Sequence, residues 1–393
     1  MKPSTDAMKI DDLLTRGVAE IIHEESLRAR LTSGERLRVK LGIDPTSPHI
    51  HLGRAITLLK LRDFQELGHQ VVFIIGDFTG QIGDTSDKES ERPMLTRDVI
   101  EENLTTYLEQ AGKILDMDAV ECRRNSEWLE KLTYREIGEH ADLFSVADFI
   151  ARENIKRRLD AGKRVSLREV LYPLMQGYDS VVVRADVEIG GTDQRFNLLA
   201  GRTLQEHAGE RPQDVVMNPL LNGTDGRKMS SSWGNTIALT ADAADMYGKV
   251  MSIADSELLS YFMMCTRLPM SEVDAVKDAL ASGTNPRDLK MRLAREITRM
   301  YHGDAESEAA EAAFVDTFQK GNVPEDVPEV GGDFAAELIK AGIVASKTEL
   351  RRLIEAGGVR NAETGEKLSA IPESVSEPVT LKVGKRRFVR LVP

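Results

Sequence analysis

Two short apolar runs joined by an amphipathic segment constrain this chain more than any other feature. Leu37–Ile43 alternates and then stops at Asp44-Pro45-Thr46, the pattern of a strand that ends in a turn. Leu52–Leu67 carries apolar residues at helical spacing and ends at Gly68. Val71–Ile75 is an unbroken apolar run, which suits a strand buried on both faces. Strand, helix and strand in this order make one βαβ unit. The expected core is therefore α/β with a parallel sheet.

At 393 residues the chain exceeds one ordinary core, so two or three domains are expected. Residues 8–32 read as amphipathic helical material ahead of the first strand. A mostly helical stretch runs from Thr96 to about Leu171, with further strand signals at Ser180–Arg184 and Val187–Gly190. A polar loop occupies Asn222–Asn235, and the chain reads as helices from Ala241 to about Phe318. Residues 321–333 hold two prolines and three glycines among acidic residues, the mark of a linker. The expected domains are thus 1–235, a helical domain over 236–320, the linker 321–333, and a small module over 334–393.

Charge separates that last module from the rest. From Phe334 to Pro393 there are 11 Lys and Arg against 7 Asp and Glu, a net of +4 within a chain of net −12. A basic tail on a body of −16 is the asymmetry of an appended polyanion-binding module. No run of about 18 apolar residues exists, so no membrane partner is expected. Met1–Asp6 has no apolar signal core, and Cys122 and Cys265 lie in no ligand-like spacing. Reduced thiols and a cytoplasmic address are expected, with no protein-held metal site.

Three constellations carry chemistry. In Gly42-Ile-Asp44-Pro-Thr46-Ser-Pro-His-Ile-His51-Leu-Gly53-Arg54, a strand delivers a glycine and a carboxylate, and a His-x-Gly-basic tetrad opens a helix. Ligands of open parallel sheets bind at strand C-termini, and helix N-termini suit phosphates. Gly53 leaves room for a base on the backbone, and His51 can donate to phosphate oxygens. Alone, this is only a histidine beside a turn. Gly226-Arg-Lys228-Met-Ser-Ser231-Ser is a basic, hydroxyl-rich loop that could close over a triphosphate and bring Lys228 to developing charge. Alone, it is an exposed polar loop.

The third constellation begins at Ser166-Leu-Arg-Glu169, a capping box that should start a helix. Tyr172, Gln176 and Asp179 then fall on one face of an otherwise apolar helix. Burying them unpaired is costly, so a pocket is expected there. Pro173 should kink this helix, and Gly177 should admit a close neighbour. Ile189-Gly190-Gly191-Thr-Asp193-Gln194 follows, with acceptors suited to a ribose.

Together the helix-start tetrad and the basic loop resemble the two signature motifs of class I aminoacyl-tRNA synthetases. The segments Leu171–Asp179, Ile189–Gln194 and Gly80-Gln-Ile-Gly-Asp84 resemble the tyrosine-binding parts of the bacterial-type tyrosyl-tRNA synthetase family. The resemblance implies a Rossmann-like, doubly wound catalytic domain that activates L-tyrosine with ATP and transfers it to tRNA(Tyr). By position, Asp179 would accept the phenolic hydrogen, and Tyr172, Gln176 and Asp84 would hold the ammonium. Gln194 would face the carboxylate. Asp44, Gly42, Gly53, Gly191 and Asp193 would line the nucleotide, while Thr46, His51, Arg54 and Lys228 would meet the phosphates. Mg2+ is expected with the ATP, and a homodimer is implied.

The tail fits as well. Ser346 to Glu349 is a second capping box, opening a helix with Arg351 and Arg352 that ends at Gly357-Gly358. It resembles the small α+β S4-like RNA-binding domain, to which Lys385, Arg386 and Arg387 would add phosphate contacts.

Three positions depart from the pattern. Arg54 stands in place of a second histidine, Ser231 in place of a second lysine, and Lys40 where many members have a tyrosine near the substrate hydroxyl. Three other readings stay open on sequence. One is a tryptophanyl enzyme, against which Asp179 argues. The others are a nucleotidyltransferase without tRNA and a synthetase-derived RNA-binding protein that has lost catalysis.

Overall fold

Leu37–Ile43 and Val71–Ile75 do become neighbouring parallel strands. The computed structural model describes residues 2–84, 94–319, 327–362, 364–372, 375–384 and 387–393. Contacts gather these into two units. One is Met1–Asp242 with Lys249–Tyr301; the other is Ala243–Gly248 with His302–Pro393. The stretch 236–320, expected as one helical domain, is therefore shared between them.

In the first unit the described strands are β1 (Glu20–Ile22), β2 (Arg38–Ile43), β3 (Gln70–Ile75), β4 (Val120–Arg124), β5 (Val187–Gly191) and β6 (Asp214–Asn218). They form one sheet in the order β1-β6-β5-β2-β3-β4. Every pair is parallel except β1 with β6. The sheet is thus mixed, a correction to the all-parallel expectation. β1 is not joined to β6 by a turn, since β2 to β5 lie between them in the chain, so no βαβ crossover fixes its direction. The turn that follows the Ala7–Thr15 helix lays it along the β6 edge. Gly17 adopts φ +59°, and Asn218 Nδ2 donates to its carbonyl at 2.6 Å.

Two strands were missed in segments read as helical. β1 has only three half-buried residues, and β4 is a polar edge strand, Val-Glu-Cys-Arg-Arg. Neither carries the apolar run or alternation that marks an inner strand. The opposite error occurred at Ser180–Arg184, whose valines read as a strand. The helix from Leu167 runs unbroken through Pro173 to Val182. Its start is the expected capping box, in which Ser166 N–H donates to Glu169 at 3.0 Å.

That helix packs along the Arg195–His207 helix, and Gly177 is the contact. A Cβ there would stand 2.8 Å from Leu204 Cδ1 and 3.0 Å from Gly201 N. The close neighbour is therefore another helix. Gly177→Ala should destabilise the protein by about 1–3 kcal/mol through overpacking, although alanine is the better helix former. A lowered urea midpoint checks this; an unchanged or raised one contradicts it.

The second unit has its own core. Strands β7 (Glu329–Val330), β8 (Val359–Asn361), β9 (Val379–Val383) and β10 (Arg387–Leu391) form a sheet ordered β7-β10-β9-β8. Leu381, Val383, Val389 and Leu391 are buried there with Phe334 and Leu338 of the Phe334–Lys340 helix. The Lys347–Glu355 helix begins where expected, with Ser346 Oγ accepting from Glu349 N–H at 3.1 Å.

Candidate functional site

Strand order reverses between β2 and β5, and a cavity of about 410 Å3 opens at their C-terminal ends. This is where an open α/β sheet binds its ligand. Gly42, Asp44, Thr46, His51, Gly53, Arg54, Asp84, Tyr172, Gln176, Asp179, Gly191, Asp193, Gln194 and Lys228 all line it.

Backbone pairing brings the first two constellations together. Leu52 N–H donates to Ile237 O at 2.9 Å, and Leu239 N–H donates to Ile50 O at 2.8 Å. The chain leaving the Lys228 loop is thus zipped to the chain entering the Leu52–Glu66 helix. His51 caps that helix, and a Cβ on Gly53 would lie 3.2 Å from the His51 ring. Within the loop, Asn235 accepts from Ser230 N–H at 2.9 Å and donates to Asp225 and to the Lys228 carbonyl. Asn235, helped by Arg227, holds the Asp225 carboxyl down to about 2. Lys228 Nζ reaches across to Asp193 Oδ2 at 2.9 Å.

Arg54 is fixed at the same end. It donates to the Asp44 carbonyl (3.2 Å), to Tyr107 OH (2.7 Å) and to Thr46 Oγ1 (3.1 Å). Ser231 also lines the cavity.

At the other end Asp179 is buried, only 3% exposed. Its carboxylate accepts from Trp128 Nε1 at 2.8 Å and from Asn125 Nδ2 at 3.3 Å. Burial pushes this carboxyl up to about 7, against the pull of Lys40 and these two donors. Asp44 accepts from Thr79 Oγ1 at 2.7 Å and Tyr172 OH at 2.8 Å, and burial raises it to about 6. Asn125 Nδ2 also donates to Thr79 at 2.9 Å. One chain of hydrogen bonds therefore links Tyr172, Asp44, Thr79, Asn125 and Asp179. Gln194 donates to Asp84 at 2.7 Å, and Asn197 donates to both Gln194 and Gln176.

Sequence reasoning missed Thr79, Asn125, Trp128 and Gly76. Asn125 and Trp128 follow β4, the strand whose polar sequence hid it. Lys40 lies outside the cavity lining, buried beneath it.

In the second unit Arg351 and Arg352 are exposed on one helix. Arg387 instead ties β10 to the helix start, with Nη2 donating to Glu349 at 3.0 Å. Lys385 and Arg386 lie outside the described residues.

Among the described residues, no group of three or more His, Cys, Asp or Glu side chains is arranged to hold a metal ion. No described helix is long and apolar enough to cross a membrane.

A family model described as tRNA synthetases class I (W and Y) matches residues 32–319. The tyrosine–tRNA ligase of Dehalococcoides mccartyi (strain ATCC BAA-2266) is 46% identical over 392 residues, covering 98% of each chain. That of Thermotoga maritima is 44% identical over 388 residues, 96% of each. Two crystal structures share the fold at 23% identity. One is a C-terminally truncated mitochondrial tyrosyl-tRNA synthetase of Coccidioides posadasii, with TM-score 0.63, covering 77% of this chain and 91% of that one. The other is the Archaeoglobus fulgidus tyrosyl-tRNA synthetase complexed with L-tyrosine, with TM-score 0.61, covering 77% and 99%.

Proposed function

The chain belongs to the class I tRNA synthetase family for tryptophan and tyrosine, and from that premise we infer that tyrosine and ATP meet in the cavity between β2 and β5. The reaction is activation of tyrosine followed by its transfer to tRNA(Tyr). Tyrosine enters ring first, and its hydroxyl donates to Asp179. Tyr172, Gln176 and Asp84 take the ammonium, with Gln194 toward the carboxylate. ATP lies over Gly42, Gly53 and Gly191, its ribose on Asp193 and its phosphates toward Thr46, His51, Arg54 and Lys228. Mg2+ comes as part of the ATP substrate, on the phosphates.

The tyrosine carboxylate attacks the α-phosphate. It is already ionised, so no general base is required, and positioning plus positive charge supply the rate. The carrying observation is the enclosed Asp179 carboxylate in a cavity that both His51 and Lys228 also line. Pyrophosphate exchange into ATP, run with each amino acid in turn, tests this reading. Tyrosine alone should support exchange; exchange with tryptophan at a similar rate overturns it.

Arg54 supplies the cation that Ser231 lacks. Arg54→His should slow adenylate formation about tenfold, the loss of charge-assisted hydrogen bonds, and adding Ser231→Lys should recover much of it. Single-turnover rates in a double-mutant cycle check this. Strictly additive effects would discard the idea.

The module 334–393 is proposed as S4-like and RNA-binding, with Arg351 and Arg352 meeting phosphates of the tRNA. The active form is taken to be a cytoplasmic homodimer, as the family implies.

A further inference from the structure

Beneath the cavity lies an ion pair whose two side chains do not line it but bond to Gln176, which does. Lys40 on β2 is fully buried, and its Nζ stands 2.9 Å from Glu188 Oε1 on β5. The same ammonium donates to Ser180 Oγ at 2.7 Å and to the Gln176 carbonyl at 3.0 Å. Glu188 is 1% exposed. It accepts from Gln176 Nε2 at 3.2 Å, from Ser180 Oγ at 3.2 Å and from Gln213 Nε2. Neither charged side chain lines the cavity.

Such a pair is expensive to desolvate, and a well-packed apolar pair often serves stability equally well. Its position suggests another use. Gln176 and Ser180 bracket Asp179 on one helix, three residues before it and one after. The pair grips both, and it orients the Gln176 amide through Glu188.

We propose that Lys40 and Glu188 are positioning residues for tyrosine recognition: the pair keeps Asp179 an effective acceptor and sets the Gln176 amide, without touching the substrate. This rests on the reading that Asp179 binds the phenolic hydroxyl. The field acting on Asp179 is consistent with it. Lys40 favours the ionised carboxylate and Glu188 opposes it, with Lys40 the stronger. The other groups bonded directly to Asp179 are neutral; beyond them, the Asp44 carboxyl reaches it through Thr79 and Asn125, and Arg123 lies over the Trp128 ring. Trp128 and Asn125 donate to it, and Tyr172 shares its helix. Thr79 is bonded to Asn125, and the neighbouring helix brings the amides of Asn197 and Gln205.

The two residues therefore pull in opposite directions, which separates electrostatic positioning from mere structural support. Glu188→Gln should move the acid limb of kcat/KM for tyrosine, near pH 7, to lower pH. Lys40→Met with Glu188→Gln removes both charges, leaves no lone buried ion, and should move the limb to higher pH. Each shift is expected to be at least about half a pH unit, roughly threefold in tyrosine kcat/KM at pH 6. The KM for ATP should stay at the parent value. Shifts of the same sign, or a limb that does not move in either variant, overturn the proposal.

Asp179→Asn tells the two failures apart. If its residual exchange keeps the limb near pH 7, the reading of Asp179 itself is wrong. If that limb vanishes in Asp179→Asn yet ignores both pair variants, only the role of Lys40 and Glu188 is lost.

Discussion

Asp179→Asn is expected to lower kcat/KM for tyrosine roughly 10- to 100-fold and, at pH 8, to make the protein more stable. The activity loss follows from exchanging a hydrogen bond to an ionised acceptor for one to a neutral amide, worth about 1.5–3 kcal/mol. An asparagine must also turn one end toward Trp128 Nε1 and the other toward Asn125 Nδ2, both of which are donors. One of these contacts is spoiled whichever way the amide faces.

The stability gain follows from linkage. The Asp179 carboxyl sits near 7 in the folded protein and near 4 in the unfolded chain. A group raised on folding contributes its stability in full below the unfolded value and loses it as pH rises through the folded value. The parent thus weakens between about pH 4 and pH 7 by up to about 4 kcal/mol, from about three units at 1.36 kcal/mol each. Asparagine does not ionise and escapes this loss. Urea midpoints of parent and variant should therefore diverge from pH 4.5 to pH 8 in favour of the variant. A difference that stays flat across that range would show that Asp179 ionises freely and is not enclosed.

Gly76→Ala should be nearly as damaging, from a single methyl group. Gly76 follows β3, and its N–H donates to Ile43 O at 3.0 Å. An added Cβ would stand 2.0 Å from Asp44 Oδ1 and 2.4 Å from Thr79 Oγ1. Neither oxygen can step aside freely. Asp44 is held by Thr79 and Tyr172, and Thr79 is held by Asn125, which also reaches Asp179. The displacement therefore spreads from Asp44 along the hydrogen-bond chain to Asp179. Tyrosine-dependent exchange should fall about 100-fold, with a stability loss of about 1–3 kcal/mol from overpacking. Gly138→Ala is the control, because a Cβ there meets nothing within 4 Å. If Gly76→Ala behaves like that control, Asp44 does not need its hydrogen-bonded position.

Much of this site was readable in one dimension because its parts sit on locally encoded devices. The strand ending at Asp44, the helix capped at His51 and the helix started by Ser166 and Glu169 each announce themselves within a few residues. What was misread lacked such a device. β1 is too short to show a period, and β4 is polar on an edge. The valines after Asp179 have strand propensity but continue a helix whose start and packing outweigh it. Gly177 was rightly read as a place of close approach, and the partner is the helix around Gly201.

By itself, then, the sequence determined the βαβ core, the starts of the helices that carry the site, and the residue types that line the cavity. Periodicity and capping are local, so they survive in a linear reading. Tertiary structure alone decided that β1 would close the sheet antiparallel, and that Thr79 and Asn125 would join Asp44 to Asp179. It also put Lys40 under the cavity and paired it with Glu188. Those contacts join residues 35 to 148 positions apart. Hydrogen bonds over such separations form only after the sheet has assembled, and nothing in the neighbouring residues marks them beforehand.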